Sequence, residues 1–397
     1  MKLQAGYVST CGGEAPEWAT PAAVRVNPTS QHRATKSIPT RKGRSWRTHS
    51  CRTAGILAVT LFTTALAAAA ANGRNVLVLT STNSPNGNNV VVFNLETTGT
   101  PSLSWVDMLP TGGDGGASGN AGILQFGQEF GAVANFGSNT VTQLVRNDNF
   151  ISVGHTIKLP AGCVNPDSVA LTAEHLFVVG ANCAESHQWP AGRVDGPPII
   201  LTDTSAAQIV VGQTWAAVTL KSGSVLQLPL TRQGALSGGS AKVTLPGNAN
   251  NTPLGAGFWG NILGFTPAHS PDSFALVDEN QDVFPVVGPA PPYPTNAPCW
   301  VAKGPGSVWY TGNSPGDAIS IFFSDGQGGI FYKSVPLPGS PTDVTVSADN
   351  KWLAVIYTAG GEAYVSVFSI DAYGDLTPVA TSNSIGVAGF SGVAFSQ

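Results

Sequence analysis

The chain has 397 residues, of which 42% are hydrophobic and 11% are charged, so it can build a large core and is too apolar for a disordered chain. The 47 glycines and 29 prolines favour tight turns over long amphipathic helices. Residues 1–71 hold 9 of the 19 basic and 2 of the 23 acidic side chains. Residues 72–397 therefore carry 10 basic and 21 acidic side chains, which gives them a formal charge of −11. Because phosphate binding needs clustered Lys and Arg, nucleic acid is not an expected partner.

The first 71 residues have the pattern of an export signal. Residues 41–52 are basic and run directly into an apolar stretch at 53–71 that ends in small residues, which is the order of a secretory signal cleaved before Asn72. A transmembrane anchor is the alternative, since about 19 apolar residues can just span a bilayer. Residues 1–40 are polar and form an N-terminal extension. We therefore expect 72–397 to be a single secreted domain without a membrane anchor after cleavage.

The rest of the chain repeats one pattern: an apolar strand, a turn rich in Gly, Asn or Ser, and a second alternating strand. This is the pattern of a β-hairpin. Clear copies begin at 75, 130, 215, 308 and 352, and weaker ones at 175 and 273, which gives seven copies with a period near 46 residues. Repeats of this length with four short strands each are propeller blades. The sequence therefore predicts an all-β, seven-bladed β-propeller.

A second repeated element is predicted to form the innermost strand of each blade. Its copies are NPDSVAL at 165, APCWVAK at 297, SPTDVTV at 340 and FSGVAFS at 390. The last copy has no hairpin after it, and the first hairpin has no such strand before it. We expect residues 387–396 to complete the first blade and close the ring, which removes an unpaired edge. Two stacked β-sandwiches, the rival all-β arrangement, would not need complementary missing strands.

Three cysteines fall in residues 72–397: Cys163, Cys183 and Cys299. An exported protein meets an oxidising environment, where one disulfide and one remaining thiol is the simplest arrangement. Cys163 and Cys183 bracket a single predicted strand and are the expected pair, whereas the apolar neighbours of Cys299 suggest burial. The sequon Asn250-Asn251-Thr252 lies in a polar stretch, so Asn250 is the expected glycosylation acceptor.

A family resemblance rests mainly on residues 296–379. They contain NAPCWVAKGPGSVWYTGNSPGDAISIFF, GSPTDVTVSADNKWLAV and VSVFSIDAYGDLTPV. This stretch resembles the lactonase-like, YVTN-type seven-bladed propellers, the relatives of 6-phosphogluconolactonase and carboxymuconate cyclase. The resemblance implies hydrolysis of sugar-acid lactones or cyclisation of muconates. Relatives tend to carry His, or an Arg-His pair, at inner-strand starts where this chain has Asp167-Ser168, Cys299-Trp300 and Thr342-Asp343.

The inner-strand starts are the first place to seek chemistry, because the loops that lead into them converge around the channel of a propeller. Asp167 and Asp343 are candidate catalytic bases, or together oxygen ligands for a divalent cation. Alternatively, each caps a turn by accepting backbone N–H bonds. Asn165, Asn296 and Trp300 are candidate substrate-binding residues at the same positions.

Residues 182–196 are predicted to be an insertion in the third blade, with the densest cluster of polar side chains in the chain. His187 beside Glu185 is a candidate catalytic acid–base pair. Arg193 would bind an anionic group, and Trp189 would offer a stacking face. The alternative is a surface loop closed by an ion pair between Glu185 and Arg193, with Trp189 packed beneath it.

No motif indicates a metal or a cofactor. The histidines are scattered, no Cys-x-x-Cys or Gly-x-Ser-x-Gly occurs, and the glycine-rich residues 111–120 lack the Lys of a phosphate loop. Two functions remain: a secreted enzyme acting on a small lactone or organic acid, or a non-catalytic extracellular propeller that binds a glycan, a cell-wall component or a protein. In either case we expect a monomer with its small-molecule or glycan ligand in the central channel.

Overall fold

The computed structural model describes residues 75–269, 274–286, 297–387 and 389–397. The predicted signal and extension at 1–71 therefore lie outside the described residues. Strands dominate the described ranges, and the helical elements assigned within them are the 3-10 turns Phe136–Ser138 and Gly247–Asn250. No helix in this part of the chain has the length and apolar character needed to cross a bilayer.

The strands of the described residues form seven antiparallel sheets of four. In chain order the first fifteen are β1 (Val76–Ser81), β2 (Asn89–Glu96), β3 (Ser102–Pro110), β4 (Leu124–Phe126), β5 (Phe130–Asn135), β6 (Thr140–Asn147), β7 (Phe150–Lys158), β8 (Pro166–Leu171), β9 (His175–Gly180), β10 (Cys183–Gln188), β11 (Ile199–Ile200), β12 (Ala206–Val211), β13 (Trp215–Leu220), β14 (Ser224–Pro229) and β15 (Ala241–Val243). The others are β16 (Pro253–Trp259), β17 (Ile262–Pro267), β18 (Phe274–Val277), β19 (Val283–Val286), β20 (Pro298–Lys303), β21 (Val308–Asn313), β22 (Ala318–Ser324), β23 (Gly329–Pro336), β24 (Ser340–Val346), β25 (Trp352–Ala359), β26 (Glu362–Ile370), β27 (Leu376–Thr381) and β28 (Ser391–Ser396).

The sheets are the predicted seven blades, with inner strands β28, β4, β8, β12, β16, β20 and β24. The C-terminal strand β28 pairs with β1 from Leu77↔Ser396 to Ser81↔Ser391, so it forms the inner strand of blade 1. Each inner strand also contacts the inner strand of the next blade, and β28 contacts both β4 and β24. The four inner-strand copies identified in the sequence are β8, β20, β24 and β28.

The core lies between neighbouring blades, because alternating side chains of each middle strand enter two different interfaces. In β9, Leu176 and Val178 pack towards blade 2, whereas Phe177 and Val179 pack towards blade 4. Both faces of the strand are therefore buried. Each such side chain contributes roughly 1.5–3 kcal/mol to folding. Because both faces are buried, the strand appears in the sequence as a run of apolar residues flanked by turns.

Four inner strands begin with proline and have an irregular start, and in β16 the pairing register shifts between Pro253 and Ala256. In the other three it shifts between Pro166 and Ser168, between Pro298 and Trp300, and between Pro341 and Asp343. Proline has no N–H for the ladder and is tolerated at the first position of a strand. The extra residue bulges out and changes the direction of the side chains that follow. Asp167 and Asp343 belong to these irregular starts.

Two predicted segments differ in the structure. The weak hairpin at 273 is β18–β19, the outer half of blade 5, whereas the equivalent of the other hairpins is β17–β18. The insertion predicted at 182–196 is wrong in its first part, because Cys183–Gln188 is the third strand of blade 3. The side chains of Glu185 and His187 made this strand look polar, but both are fully buried.

The disulfide between Cys163 and Cys183 is present, with the two Cα atoms 5.3 Å apart. It ties the segment before β8 to the start of β10. Cys299 is buried as expected, but the expectation of a free thiol is wrong because Cys299 is disulfide-bonded as well. Asn250, the predicted glycosylation acceptor, is exposed at the end of a 3-10 turn.

Candidate functional site

A cavity of about 270 Å³ lies between the inner strands of blades 2 to 7, and we call it the axial cavity. The end at which the inner strands begin is its upper end, and the other is its lower end. Most of its wall is backbone and aliphatic side chain. Five polar side chains also line it: Gln125, Gln208, Lys303, Asp343 and Thr345. More of the exposed wall is polar than apolar, and the volume lies just below the range of about 300–1,000 Å³ that is usual for small-molecule sites.

The glycine-rich residues 111–121, the crossing segment, run over the inner-strand starts at the upper end. The Asn120 side-chain amide donates to the Asp167 carbonyl in blade 3, and the Ala121 N–H donates to the Ala207 carbonyl in blade 4 at 3.2 Å. The Asn120 carbonyl accepts the indole N–H of Trp300 in blade 6, also at 3.2 Å. The crossing segment is thus bonded to three blades.

Asp343 lines the axial cavity near its upper end. Burial raises the pKa of its carboxyl to about 7, against the opposing effect of hydrogen bonds from the backbone N–H groups of Val344, Gly122 and Val393. The bond from Val344 is 2.8 Å long. The turn-capping alternative therefore holds in part, but Val393 lies in the inner strand of blade 1, and Gly122 lies just before the inner strand of blade 2. With a pKa near 7, this carboxyl can both take and return a proton at neutral pH.

Asp167 is buried at the upper end but is not part of the wall of the axial cavity. Burial raises the pKa of its carboxyl to about 7, and the charge of Lys221 partly opposes the rise. The two aspartates thus share a shifted pKa but have different surroundings. Within the described ranges, no three His, Cys, Asp or Glu side chains are grouped as ligands for a metal ion.

Lys303, the last residue of β20, lines the lower part of the axial cavity and was not singled out from the sequence. Burial lowers the pKa of its ammonium group to about 8. The ammonium donates to the carbonyls of Gly304 at 2.7 Å and Gly306 at 2.6 Å. It also lies 5.3 Å from the ring centroids of Trp259 and Trp309. Lys303 is the one basic residue in the four inner-strand copies, and that was a signal available from the sequence.

None of the three substrate-binding residues predicted at the inner-strand starts is found in the wall of the axial cavity. Two of them lie outside this wall, and the third lies outside the described residues. Trp300 is buried, with its indole N–H bonded to Asn120. Asn165 is half-buried in a left-handed conformation, φ +53°, and its amide donates to the carbonyl of Phe136 at 3.1 Å. Asn296 lies outside the described residues. Trp300 and Asn165 thus hold loops in place.

Glu185 and His187 lie next to each other but away from the axial cavity. They are on the face of β10 that packs towards blade 2, and both are fully buried. His187 Nε2 is 3.0 Å from Glu185 Oε1, and His187 Nδ1 is 3.1 Å from the Gly192 carbonyl. Glu185 Oε2 has no hydrogen-bond partner among the described residues. The pair has the orientation expected of an acid–base pair, but no route for a substrate.

The ion pair predicted between Glu185 and Arg193 is wrong, because Glu185 pairs with His187 and Arg193 is exposed. Trp189 is buried and its ring contacts the edge of Phe130 at a centroid distance of 6.4 Å. The alternative of a packed tryptophan is therefore confirmed. The polar cluster of 182–196 divides into a buried pair and a surface loop.

No family model matches the chain, and no curated protein matches it. Solved structures do. A protein from Lactobacillus plantarum is 12% identical, with a TM-score of 0.61 over 82% of this chain and 100% of its own. A candidate 6-phosphogluconolactonase from Bacteroides uniformis is 13% identical, with a TM-score of 0.60 over 81% and 100%. Its counterpart from Bacteroides fragilis is 13% identical, with a TM-score of 0.59 over 82% and 99%. At these identities the likeness concerns the fold alone, which is a β-propeller of seven four-stranded blades.

Proposed function

We propose that the protein is a secreted lactonase-like hydrolase that opens a small, anionic lactone in the axial cavity. The observation that carries the proposal is that Asp343 and Lys303 line the same cavity. One is a carboxyl with a pKa of about 7 and the other is a cation. The exposed acceptor Asn250 and the disulfide Cys163–Cys183 are compatible with an oxidising, extracellular location.

The register of the inner strands defines the length of the substrate. Asp343 and Trp300 follow the same register shift in their strands, so Lys303 lies three residues further down the axis. At about 3.3 Å per residue, this is roughly 10 Å. A lactone whose ring reaches Asp343 would therefore place a carboxylate or phosphate four or five bonds away near Lys303. Because the crossing segment lies over the upper end, the ligand would enter from the lower end.

The chemistry follows from the pKa of Asp343. As a carboxylate it takes a proton from a water molecule while the water oxygen bonds to the lactone carbonyl carbon. The ring C–O bond then breaks, and Asp343 returns the proton to the departing alkoxide oxygen. One lactone and one water thus give one hydroxy acid. Lys303 favours the anionic substrate through its charge, and the amides of Gln125 and Gln208 orient it by hydrogen bonds.

The test is a kinetic comparison of neutral and anionic lactones, with δ-gluconolactone and the carboxylate-bearing muconolactone as probes. Asp343→Asn should lower kcat by 100-fold or more, since a positioned base contributes about 10²–10⁴. Lys303→Met should raise KM for muconolactone about tenfold and leave δ-gluconolactone unaffected. The matched control is Asp107→Asn, because Asp107 is exposed on the outer strand β3.

Activity that survives in Asp343→Asn would overturn the role of Asp343. Absence of turnover with every lactone tested would overturn the proposal that the protein is an enzyme. In that case, binding of muconolactone that weakens in Lys303→Met would identify a non-catalytic binding protein for small organic acids.

A further inference from the structure

A second and larger cavity opens on the lower face, between blades 3 and 4. It has a volume of about 620 Å³ and shares no residue with the axial cavity. Three loops enclose it: the turn between β8 and β9, the loop between β10 and β11, and the loop between β14 and β15. We call it the lower cleft. Gln188, Asp195 and Gly196 of the predicted insertion 182–196 lie in its wall, but the named candidates Glu185, His187, Trp189 and Arg193 do not.

The walls of the lower cleft are held by hydrogen bonds within each loop. In the blade 3 loop, Asp195 N–H donates to the Ser186 carbonyl at 2.7 Å and Gln188 N–H donates to the Arg193 carbonyl at 2.7 Å. In the blade 4 loop, Thr231 N–H donates to the Ala235 carbonyl at 2.8 Å. Such loops lose little conformational freedom when a ligand binds.

One hydroxyl joins the two walls. Ser186 Oγ donates to the Asp195 carbonyl at 2.5 Å and accepts the N–H of Leu236, in the other wall, at 3.1 Å. The walls also approach each other at Gly196, where a Cβ atom would lie 2.9 Å from the Leu236 carbonyl oxygen. The cleft is therefore a fixed shape between two blades.

His175 and Asp195 form the polar centre of the lower cleft. His175 Nε2 lies 3.1 Å from Asp195 Oδ2, and their side chains are 6% and 32% exposed. Thus the imidazole is held in place while the carboxylate stays open to a ligand. The two residues are 20 positions apart and belong to different elements, so only the fold brings them together.

The other polar groups in the wall are a carboxylate, two amides and two hydroxyls: Glu174, Gln188, Gln233, Thr231 and Ser237. Apolar surface comes from Pro197, Ala235 and Leu236. No Lys or Arg is part of the wall of this cleft, so an anionic ligand such as the proposed lactone would not be held there. Carboxylates accept, and amides and hydroxyls both donate and accept, hydrogen bonds. This set matches the alternating hydroxyl groups of a neutral sugar.

We propose that the lower cleft is a binding site for a neutral saccharide of one or two units. Its volume is in the range of small-ligand sites, about 300–1,000 Å³. The Asp195 carboxylate, oriented by His175, accepts from two sugar hydroxyls, and the amides of Gln188 and Gln233 bind others at the rim. The site is separate from the axial cavity and does not depend on the function proposed for that cavity.

The experiment is saturation-transfer NMR followed by calorimetry on the purified protein, with cellobiose, maltose and methyl α-mannoside as neutral probes. Gluconate is the anionic probe and putrescine the cationic one. We expect binding of at least one neutral probe, weakened tenfold or more in Asp195→Asn and in Gln188→Ala. Ser237→Trp should abolish it, because an exposed side chain at 237 would fill the cleft. Asp107→Asn should bind like the original protein.

Failure of every neutral probe would overturn the proposal, as would preference for putrescine or gluconate. Sugar binding that is unchanged in Asp195→Asn and Ser237→Trp would also overturn it. Lactone turnover is measured separately. If it persists in Ser237→Trp while sugar binding is lost, the two sites are independent, and loss of one proposal leaves the other intact.

Discussion

The indole N–H of Trp300 donates to the backbone carbonyl of Asn120 at 3.2 Å, across 180 positions of sequence. This bond joins the inner strand of blade 6 to the segment between blades 1 and 2. The same asparagine donates its side-chain amide to the Asp167 carbonyl in blade 3. A segment rich in glycine has little intrinsic order, because glycine loses the most conformational freedom on folding. Bonds of this kind fix its position at the upper end of the channel.

The first prediction concerns Trp300→Phe, which keeps an aromatic ring but removes the donor. The Asn120 carbonyl would lose a buried partner, which costs about 1–3 kcal/mol. Amide hydrogen exchange in residues 115–121 should accelerate more than in the blades. Trp105→Phe is the control, because Trp105 is 46% exposed on β3. Unchanged exchange in 115–121 would mean that other contacts hold the segment.

The second prediction is that two buried carboxyl groups stabilise the folded protein more at acidic pH than at neutral pH. Burial raises the pKa values of Asp167 and Asp343 from 3.8 to about 7. The folded protein thus binds more protons than the unfolded chain between these values. The contribution of these two carboxyls to the free energy of unfolding should be highest below pH 4, fall as the pH rises to 7, and then level off. A full shift of this size corresponds to about 4 kcal/mol per carboxyl.

Asp167→Asn tests this pH dependence most directly, because Asp343 also accepts backbone N–H bonds that an amide cannot fully replace. The variant should match the original protein at pH 4 and be more stable at pH 8. Urea unfolding at pH 4, 5.5, 7 and 8 measures how the free energy of unfolding depends on pH in the variant and in the original protein. Asp107→Asn, on the exposed surface, should leave the profile unchanged. If the free energy of unfolding of Asp167→Asn changed with pH in the same way as that of the original protein, Asp167 would not titrate in this range.

Much of the fold could be predicted because each blade repeats the same pattern of buried and turn residues. Middle strands are buried on both faces, so runs such as LFVV in β9 recur as apolar segments between turns. Inner strands begin with proline in several blades, as at Pro166 and Pro341, where the missing N–H is tolerated. The C-terminal strand was found by its likeness to these copies. The strand β10 was missed because Glu185 and His187 replace the expected apolar side chains.

The candidate site was less predictable because its contacts join distant parts of the chain. Asp343 was selected from its place after the inner-strand proline, and the structure puts it in the wall of the axial cavity. Lys303 ends another inner strand and is the one basic residue of the four inner-strand copies, but its sequence neighbours do not show that it lines a cavity. His175 and Asp195 each begin or follow a strand in ordinary turns. Their 3.1 Å contact depends on the blade geometry and not on a local motif.

The last prediction separates structure from catalysis at Glu185 and His187. Both side chains are fully buried, 3.0 Å apart, between blades 2 and 3. His187→Leu leaves the Glu185 carboxylate buried without its partner, and breaking a buried pair in this way costs about 3–5 kcal/mol. Replacing both residues by Leu removes the unpaired charge, so the double variant should be more stable than His187→Leu and keep lactone turnover.

Urea unfolding of the two single variants and the double variant gives the coupling between the side chains. The exposed pair Lys351–Asp349, with 3.2 Å between its charged atoms, is the matched control, since a surface ion pair contributes about 0–1 kcal/mol. Strong coupling at Glu185–His187 with turnover intact would assign the pair to blade packing. Loss of turnover in a folded, stable double variant would instead return these residues to catalysis, and the axial cavity would cease to be the proposed active site.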